Sequence, residues 1–412
     1  MRMKNFLKTT GIFLLLFSIV AISLTTPSLA KAEVKAFEYV ALGDSLTVGY
    51  EPGMILHSVP YGFADRLYEQ AMYYGRTNYT NYGIGGLKSD GLRNYLEALH
   101  FGKEITAEQV QPGLIQIDPR LEDRIAQIKK VQEKIKNANL ITVTIGGNDL
   151  RDLPILYKEK SSSEFDEIVN ERTKIISANV KASIEFLTKE NPDALIVLAD
   201  QYQPYPYIEK FTDKALYDKL NAVKDQMSAE YQRIIAGFVQ EGKNIKIAQV
   251  AKEFVGNELL FTHIFKSDIH PNQNGYEKIA QVFAKTIWGT YNTPKNRNPI
   301  SIVVGGVELE TKNKPVMING RTYLPIREYS EQLGAKVSWD SKTKSAVITH
   351  GDKKARFTSE TVLQTADLEG SKFTGNILLY NSKVYVSLRA VAEGLQFDVV
   401  YISRSKTAYI NQ

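Results

Sequence analysis

The sequence predicts an α/β protein, in which a three-layer α/β/α sandwich with a parallel sheet is followed by a smaller α+β domain. Between residues 36 and 291, short apolar runs rich in β-branched residues alternate with longer amphipathic runs of helical periodicity. Alternation of this kind implies parallel strands joined by crossover helices. Beyond residue 299 the pattern changes to short strands and turns, and the segment repeats itself once.

The elements of the sandwich follow from the position of each run. Polar loops are expected at 51–60 and 100–117, where they would cover the carboxyl ends of the strands. The runs 37–42, 140–145, 194–199 and 244–250 are predicted strands, and the runs 119–138, 165–190, 214–240 and 274–288 are predicted helices.

The first thirty residues and the composition of the chain restrict the class of protein to which it can belong. Residues 1–30 begin with positive charges, continue with a short apolar core and end in small residues, which predicts a secretory signal peptide and an exported, extracellular protein. The 412 residues contain no cysteine, which excludes disulfides, thiolate metal sites and a lipoprotein anchor. The net charge of +5 is dispersed, so no nucleic-acid partner is expected. No metal, cofactor or membrane span after signal cleavage is expected either.

The first polar block follows the first predicted strand. The apolar run 39–42 ends at a glycine, and Ser45 follows on the turn where the next helix should begin. That arrangement exposes a hydroxyl at the carboxyl end of a strand, beside free backbone N–H groups, as an acyl-transfer nucleophile requires. Gly, Asp and Ser also form ordinary turns, so this block alone leaves both interpretations open.

Three further blocks favour the catalytic interpretation. They are Asn-Tyr-Gly-Ile-Gly-Gly at 81–86, Thr-Ile-Gly-Gly-Asn-Asp at 144–149 and Asp-Ile-His-Pro at 268–271. A hydrolytic serine needs a base, a group that orients the base, and donors for the oxyanion. The four blocks, occurring in this order over roughly residues 37–288, resemble the SGNH or GDSL hydrolase family, which is named for the residues found in its blocks.

The resemblance implies a role for each block. Ser45 matches the nucleophile, and its backbone N–H belongs to the oxyanion hole. Gly86 matches the glycine whose N–H is the second donor, and Asn148 matches the side-chain amide that is the third. Asp149 is expected to cap the following helix, and Asp44 to stabilise the turn.

The last block supplies the general base. His270 matches that histidine, and Asp268 is the candidate for the orienting carboxylate. The commonest family pattern places the acid three residues before the histidine, where this chain has Ser267. A backbone carbonyl is therefore an alternative partner for the imidazole. His263, in the same loop, is expected to be an ordinary surface or core histidine, with a role at the site as the alternative.

A tyrosine-rich loop follows the third predicted strand. Residues 201–207 contain Tyr202, Tyr205 and Tyr207. Their position beyond the carboxyl end of a strand indicates a loop that faces the site, where tyrosines could stack on a sugar ring or line an acyl groove. A rigid surface loop shaped by its prolines is the alternative.

The C-terminal segment contains a repeat. Residues 292–299 are polar, contain two prolines and are a predicted linker, and residues 300–412 form the second predicted domain. Residues 315–348 align without gaps on 377–410, each copy with a turn, at 319–320 and 381–382. The first copy resembles the stalk-type module named after the N-terminal domain of copper amine oxidases. The resemblance implies no copper here; it implies a spacer or a contact with the cell wall or surface.

These observations predict an exported serine esterase that hydrolyses lipid, short acyl or O-acetyl esters through an acyl-enzyme. An O-deacetylase of carbohydrates or cell-wall polysaccharides is one alternative, and a non-catalytic surface-binding protein is another. Fold alone does not choose among them.

Overall fold

The computed structural model describes residues 35–412 apart from 56, 297–298, 319–320, 344, 359–363, 369–370, 376 and 381–382. The predicted signal peptide, residues 1–30, lies outside the described residues, as do the predicted turns at 319–320 and 381–382 and two residues of the predicted linker. None of the helices described here combines the length and apolar character needed to cross a membrane.

Five parallel strands form the central sheet. They are β1 (Phe37–Gly43), β2 (Thr77–Asn81), β3 (Leu140–Thr144), β4 (Leu195–Ala199) and β5 (Ile245–Ala248). Their order is β2-β1-β3-β4-β5, and every neighbouring pair is parallel. The chain changes direction across the sheet between β1 and β3, and open sheets of this kind bind ligands at the carboxyl ends of the strands beside such a switch point.

The segments between the strands are largely helical. The helices are α1 (Ser45–Val48), α2 (Phe63–Met72), α3 (Ser89–Phe101), α4 (Ala107–Val110), α5 (Leu114–Ile117), α6 (Arg120–Ala126), α7 (Ile128–Asn137), α8 (Leu153–Glu159), α9 (Ser162–Glu190), α10 (Lys214–Gln240), α11 (Ala251–Phe254), α12 (Glu258–Phe261) and α13 (Gln273–Trp288), with 3₁₀ turns at Asn148–Leu150 and Ile264–Lys266.

Three of the four predicted long helices correspond to α9, α10 and α13. The fourth is divided at Gln127, whose backbone (φ −103°, ψ 18°) leaves the helical region and separates α6 from α7. The predicted loop 100–117 contains the short helices α4 and α5. Thr106 begins α4 by accepting a hydrogen bond from Gln109 N, and the Gln109 side chain accepts one from Thr106 N in return. This reciprocal cap has the Thr-x-x-Gln sequence pattern that precedes helices.

Two helical layers cover the sheet. Val40 and Leu42 of β1 belong to a core that they share with α3, α7, α9 and α10. Tyr39 and Ala41, on the opposite face of the same strand, belong to a core shared with α2 and α13. Because strands buried on both faces are apolar throughout, β1, β3 and β4 appear in the sequence as continuous hydrophobic runs. The predicted three-layer α/β/α sandwich is confirmed.

The edge strand β2 is not predicted by the sequence pattern. Its residues, Thr77–Asn81, are mostly polar and only partly buried, and the strand pairs with β1 alone. Asn81 Nδ2 donates to Thr47 O over 2.6 Å, which fixes the end of β2 beside α1. A polar edge strand has no apolar alternation, which is the signal that identifies half-buried strands.

The C-terminal part is a smaller α+β domain, as predicted. Its elements are β6 (Ser301–Val304), β7 (Val307–Glu308), β8 (Val316–Ile318), β9 (Arg321–Pro325), α14 (Ile326–Gln332), β10 (Lys336–Asp340), β11 (Ser345–His350), β12 (Lys353–Thr358), β13 (Gln364–Leu368), β14 (Ser371–Gly375), β15 (Ile377–Tyr380), β16 (Lys383–Ser387), α15 (Leu388–Gly394), β17 (Asp398–Ile402) and β18 (Thr407–Asn411). The strands form sheets of order β10-β11-β12-β13-β14, β15-β16-β9-β8 and β17-β18-β6-β7.

The predicted repeat is visible in these elements. The series β8-β9-α14-β10-β11 recurs as β15-β16-α15-β17-β18. The copies meet where β9 pairs antiparallel with β16, and Leu324 there lies opposite Val386, its own equivalent in the alignment of the two copies. Antiparallel pairing of equivalent residues means that an approximate two-fold axis relates the two copies at this point.

The C-terminal domain contacts α2 of the sandwich through its last strand. The Glu69 carboxylate is 5% exposed and accepts hydrogen bonds from Tyr61 Oη (2.7 Å) and from Tyr409 Oη (2.9 Å). Asn411 Nδ2 donates to Met72 O over 3.0 Å. Met72, Val303 and Tyr409 also form a small buried apolar cluster. A buried carboxylate is therefore hydrogen-bonded from both parts of the chain at once.

Candidate active site

The turn after β1 places Ser45 at the carboxyl edge of the sheet. Gly43 has φ 133°, and a Cβ there would lie 2.1 Å from Thr144 O, so only glycine allows β1 and β3 to approach this closely. Ser45 is the first residue of α1. Its backbone N–H, like that of Gly86, has no acceptor among the residues that the structure describes. The structure thus places a serine hydroxyl and a free N–H at the switch point of the sheet.

Asp44 stabilises this turn. Its Oδ1 accepts hydrogen bonds from Leu46 N at 3.0 Å and from Thr144 Oγ1 at 2.8 Å, which joins the cap of α1 to β3. Burial raises the pKa of Asp44 to about 7, and the two hydrogen bonds oppose that rise. The side chain is directed into the protein, in agreement with the structural role expected from the sequence.

His270 and Asp268 complete a continuous hydrogen-bonded row with Ser45. Ser45 Oγ lies 2.8 Å from His270 Nε2, and His270 Nδ1 lies 2.7 Å from Asp268 Oδ1. The same carboxylate oxygen accepts the backbone N–H of His270 at 2.8 Å. The two-residue spacing therefore brings the acid to the imidazole, because the chain turns back at Ser267, which has φ 58°. Asp268 therefore lies where an orienting carboxylate would lie, and its catalytic role stays a prediction.

The surroundings of His270 favour a neutral imidazole. Burial lowers the pKa of His270, the hydrogen bond and the charge of Asp268 raise it, and the positive charge of Arg151 opposes that rise. Tyr50 packs its ring edge-on against the imidazole, with ring centroids 4.6 Å apart. A neutral imidazole whose Nδ1–H is held by a carboxylate presents Nε2 as a proton acceptor to the serine.

His263 is not part of this row. Its Nε2 lies 3.2 Å from Glu51 Oε1, and its backbone N–H donates to His270 O at 2.9 Å. Glu51 also accepts a hydrogen bond from Gln273 Nε2 at 2.7 Å. These contacts fasten the loop that carries Tyr50 to the start of α13, so His263 supports the loop beside the site. Glu51 begins the predicted loop 51–60, which the sequence places near the site, but no pattern indicates the contact of Tyr50 with the imidazole.

Asn148 lies in the same cavity as Ser45 and His270, on the 3₁₀ turn that follows β3. Its Nδ2 donates to Leu87 O over 2.9 Å, which directs the amide and leaves its second hydrogen available. Gly86 is the residue before Leu87 and has φ 79°. Gly86 does not line the cavity, and its position in the oxyanion hole stays a prediction.

Asp149 caps a helix, although not the following one. Its carboxylate accepts hydrogen bonds from Ser89 N at 3.0 Å and from Ser89 Oγ at 2.6 Å, at the start of α3. Asn179 of α9 donates to the same hydroxyl over 3.1 Å. The block that carries Asn148 is thereby anchored to α3 and α9, which holds the amide in place relative to Ser45.

A cavity extends from the serine between α8 and α10. Its polar lining includes Ser45, Asn148, His270, Gln201 and Gln203. α10 contributes one apolar face, Leu220, Val223 and Met227, since residues spaced three or four apart on a helix point the same way. The other apolar lining residues include Leu46, Leu150, Leu153, Pro154, Pro204 and Ile269.

The tyrosine-rich loop contributes little open aromatic surface to this cavity. Tyr202 stacks on Phe254 with ring centroids 4.1 Å apart, and its hydroxyl donates to Ile269 O at 2.9 Å. Tyr205 lines the cavity and packs on the apolar cluster of α8, α9 and α10. Tyr207 is exposed and packs against Tyr217. Tyr202 and Tyr205 thus fit the wall of a groove better than a stacking platform, whereas Tyr207 lies as expected for the alternative, a surface loop.

The fold and this row of side chains define a class, the serine hydrolases with a parallel α/β/α sandwich. The family profile described as GDSL-like Lipase/Acylhydrolase matches residues 41–278, more than half of the chain. The protein belongs to this family, so the resemblance seen in the sequence is confirmed and the protein is an ester-hydrolysing enzyme. A second profile, described as Copper amine oxidase N-terminal domain, matches residues 303–410 and agrees with the predicted C-terminal module.

Individual relatives are lipases and esterases. The chain is 25% identical over 247 residues to the spore germination lipase LipC of Bacillus licheniformis. The aligned region covers 59% of this chain and 93% of LipC. Among solved structures, the lipase Lip_vut3 from a goat rumen metagenome is 23% identical, with a TM-score of 0.41, covering 60% of this chain and 96% of that one. Phospholipase A1 from Streptomyces albidoflavus NA297 is 15% identical, with a TM-score of 0.42. The alignment covers 61% of this chain and 100% of the phospholipase.

Proposed function

We propose that the protein hydrolyses carboxylic esters of aliphatic acids through an acyl-enzyme formed on Ser45. The observation that carries this proposal is the position of the Ser45–His270 pair, 2.8 Å apart, at the polar end of a cavity whose helical walls are apolar. A scissile carbonyl at the serine would place its acyl chain between α8 and α10. Burying each methylene there contributes about 0.8 kcal/mol.

The proposed reaction proceeds in two halves. His270 Nε2 takes the proton of Ser45 Oγ as that oxygen attacks the carbonyl carbon, and Asp268 stabilises the resulting imidazolium. The Ser45 and Gly86 N–H groups and the Asn148 amide hold the oxyanion. The alcohol leaves with the proton from the imidazolium. Water, deprotonated by the same histidine, then attacks the acyl-enzyme and releases the acid and the free serine.

The alternative of an O-deacetylase for carbohydrates or wall glycans receives less support from the cavity. A sugar-binding site would be shallow and lined by exposed aromatic faces, whereas Tyr202 is covered by Phe254 and Tyr205 packs on the α8–α10 cluster. An acyl chain placed between α8 and α10 would also contact Leu153, Val223 and Met227, apolar side chains that an acetyl group does not need.

The chain-length dependence of hydrolysis tests this proposal. We expect Ser45-dependent turnover of p-nitrophenyl esters, with kcat/KM rising from acetate to chains of several carbons. Val223→Trp fills the apolar end of the cavity, so the ratio of kcat/KM for octanoate to that for acetate should fall at least about tenfold, given about 1–3 kcal/mol for each methylene.

Val239→Trp is the matched control, because Val239 lies on the same helix and is exposed. It should leave the chain-length profile as in the wild type. Turnover confined to acetate in the wild type would contradict the acyl-chain proposal and favour the deacetylase. Absence of Ser45-dependent turnover on every ester would favour a binding protein.

Asn148→Ala tests the side-chain donor of the oxyanion hole. Because the amide would bond to oxygen most strongly in the tetrahedral intermediate, we expect kcat to fall by about 10²–10³-fold with KM nearly unchanged. Steady-state kinetics on one p-nitrophenyl ester measures both constants. Asn170→Ala, on the exposed face of α9, is the control. A loss below threefold in kcat would exclude Asn148 from the oxyanion hole.

We propose further that the enzyme is secreted and that its C-terminal module, which carries the predicted linker at 292–299, contacts the cell wall or surface. The charged amino-terminal start and apolar core of residues 1–30 support export. Amino-terminal sequencing of enzyme recovered from the medium and from washed walls would test both statements, since retention of residues 1–30 would contradict cleavage.

A further inference from the structure

The lining of the cavity beside Ser45 includes an arginine that has no acidic partner among the described residues. The charged lining residues, apart from His270, are Asp44, Arg151 and Lys224. Asp44 is almost fully buried beneath the turn, and burial raises its pKa to about 7, so it contributes only part of a negative charge near neutrality. Lys224 Nζ pairs with Asp225 Oδ1 at 2.7 Å. Arg151 is exposed to solvent, so its charge is hydrated in the free enzyme and is available to a bound ligand.

Arg151 directly follows the 3₁₀ turn that carries Asn148. The two carboxylates beside it in sequence have other partners: Asp149 accepts hydrogen bonds from Ser89, and Asp152 pairs with Arg172. Within the described residues, the Arg151 guanidinium forms no hydrogen bond and no ion pair. A guanidinium offers five N–H donors in a planar fork that matches carboxylate and phosphate oxygens.

The positive charge of Arg151 disfavours the imidazolium that forms while a neutral substrate is hydrolysed. His270 becomes positively charged as it takes the serine proton, and Asp268 favours that charge. The charge of Arg151 acts against it. An anionic group on the substrate, bound to Arg151, would remove this repulsion and add a contact of its own.

We propose that Arg151 selects esters that carry an anionic group, a phosphate or a carboxylate, beside the scissile bond. The inference rests on the proposed ester hydrolysis and names its substrate class. The apolar lining holds the hydrocarbon part of such a substrate, and Arg151, at the same cavity as Ser45 and Asn148, holds its charge. The anionic group can lie on the alcohol part of the ester, as in an acyl glycerophosphate. It can also lie on the acyl part, as in a dicarboxylate monoester.

Two matched substrate pairs distinguish these sources. The first compares 1-butyrylglycerol 3-phosphate with 1-butyrylglycerol, and the second compares mono-p-nitrophenyl glutarate with p-nitrophenyl pentanoate. We expect the wild type to prefer the anionic member of at least one pair, and that pair identifies which side of the ester carries the charge. In Arg151→Gln the ratio of anionic to neutral kcat/KM should fall about tenfold, the scale of a hydrogen bond to a charged group.

Arg151→Lys should restore part of that ratio, because it keeps the charge and loses the planar fork. Arg233→Gln is the control: Arg233 is exposed on α10 and lies outside the cavity, so the ratio should equal the wild-type value. An unchanged ratio in Arg151→Gln for both pairs would overturn the inference while the Ser45-dependent hydrolysis of neutral esters stands. Absence of Ser45-dependent hydrolysis of every ester would overturn the proposed function, and this inference with it.

Discussion

Replacing Ser45 by alanine is expected to lower kcat for ester hydrolysis by about 10⁵–10⁶-fold, the loss found when a serine hydrolase loses its nucleophile. Ser45 Oγ is the atom that would form the acyl-enzyme, and it lies 2.8 Å from His270 Nε2. Alanine has no oxygen to take its place. Residual turnover would come only from binding and the oxyanion donors. Burst kinetics with p-nitrophenyl butyrate would show the acyl-enzyme in the wild type and its absence in the variant.

The matched control is Ser163→Ala, an exposed serine in the first turn of α9. It should retain full activity. Both variants should melt at the wild-type temperature, because Ser45 makes its one side-chain hydrogen bond to the imidazole. A Ser45→Ala protein with more than about one per cent of wild-type kcat would assign the nucleophile to another residue.

The second large effect is expected for Asp268→Asn, with a fall in kcat of about 10⁴-fold. The carboxylate accepts the His270 Nδ1–H at 2.7 Å and fixes the tautomer in which Nε2 can take the serine proton. The substitution also changes the pH dependence. Asp268 raises the pKa of His270 against the effect of burial, so removing the charge should lower that pKa further. The acid limb of kcat/KM should therefore move to lower pH.

A pH–rate profile of Asp268→Asn measures both effects, and Asp218→Asn, an exposed residue paired with Lys214, is the control. If a backbone carbonyl can orient the imidazole instead, the loss in kcat should be smaller than about tenfold, even though the acid limb still moves because the charge is removed. That result would remove Asp268 from the proposed mechanism and leave Ser45 and His270 as its working pair.

The sequence predicts the parts of the fold that depend on a continuous apolar pattern. The sequence predicts β1, β3 and β4 because buried parallel strands are hydrophobic on both faces. It also predicts β5, an edge strand whose isoleucines and alanine alternate with an exposed lysine. It does not predict β2, because Thr77–Asn81 is polar and pairs on one side only. The break at Gln127 was hidden as well, since the apolar periodicity of 119–138 continues on both sides of it.

The candidate site, like the fold, has parts that the sequence predicts and parts that it does not. The blocks that carry Ser45, Asn148 and His270 are local patterns, so the sequence identifies them. The apolar cavity is formed by α8 and α10, whose lining residues Leu153 and Val223 are far apart in the chain and are ordinary core residues by pattern. Arg151 gives no sequence signal at all, because its significance lies in the lack of a partner in three dimensions.

The contact at Glu69 has a consequence for how such enzymes can be assembled from modules. Its buried carboxylate is hydrogen-bonded by Tyr61 from the sandwich and by Tyr409 from the last strand of the chain, and Met72 beside it is covered by Val303. A replacement module that covers Glu69 without a hydroxyl at the position of Tyr409 would leave a desolvated carboxylate short of a donor. Gene fusions at this junction should therefore keep such a donor or replace Glu69 on α2.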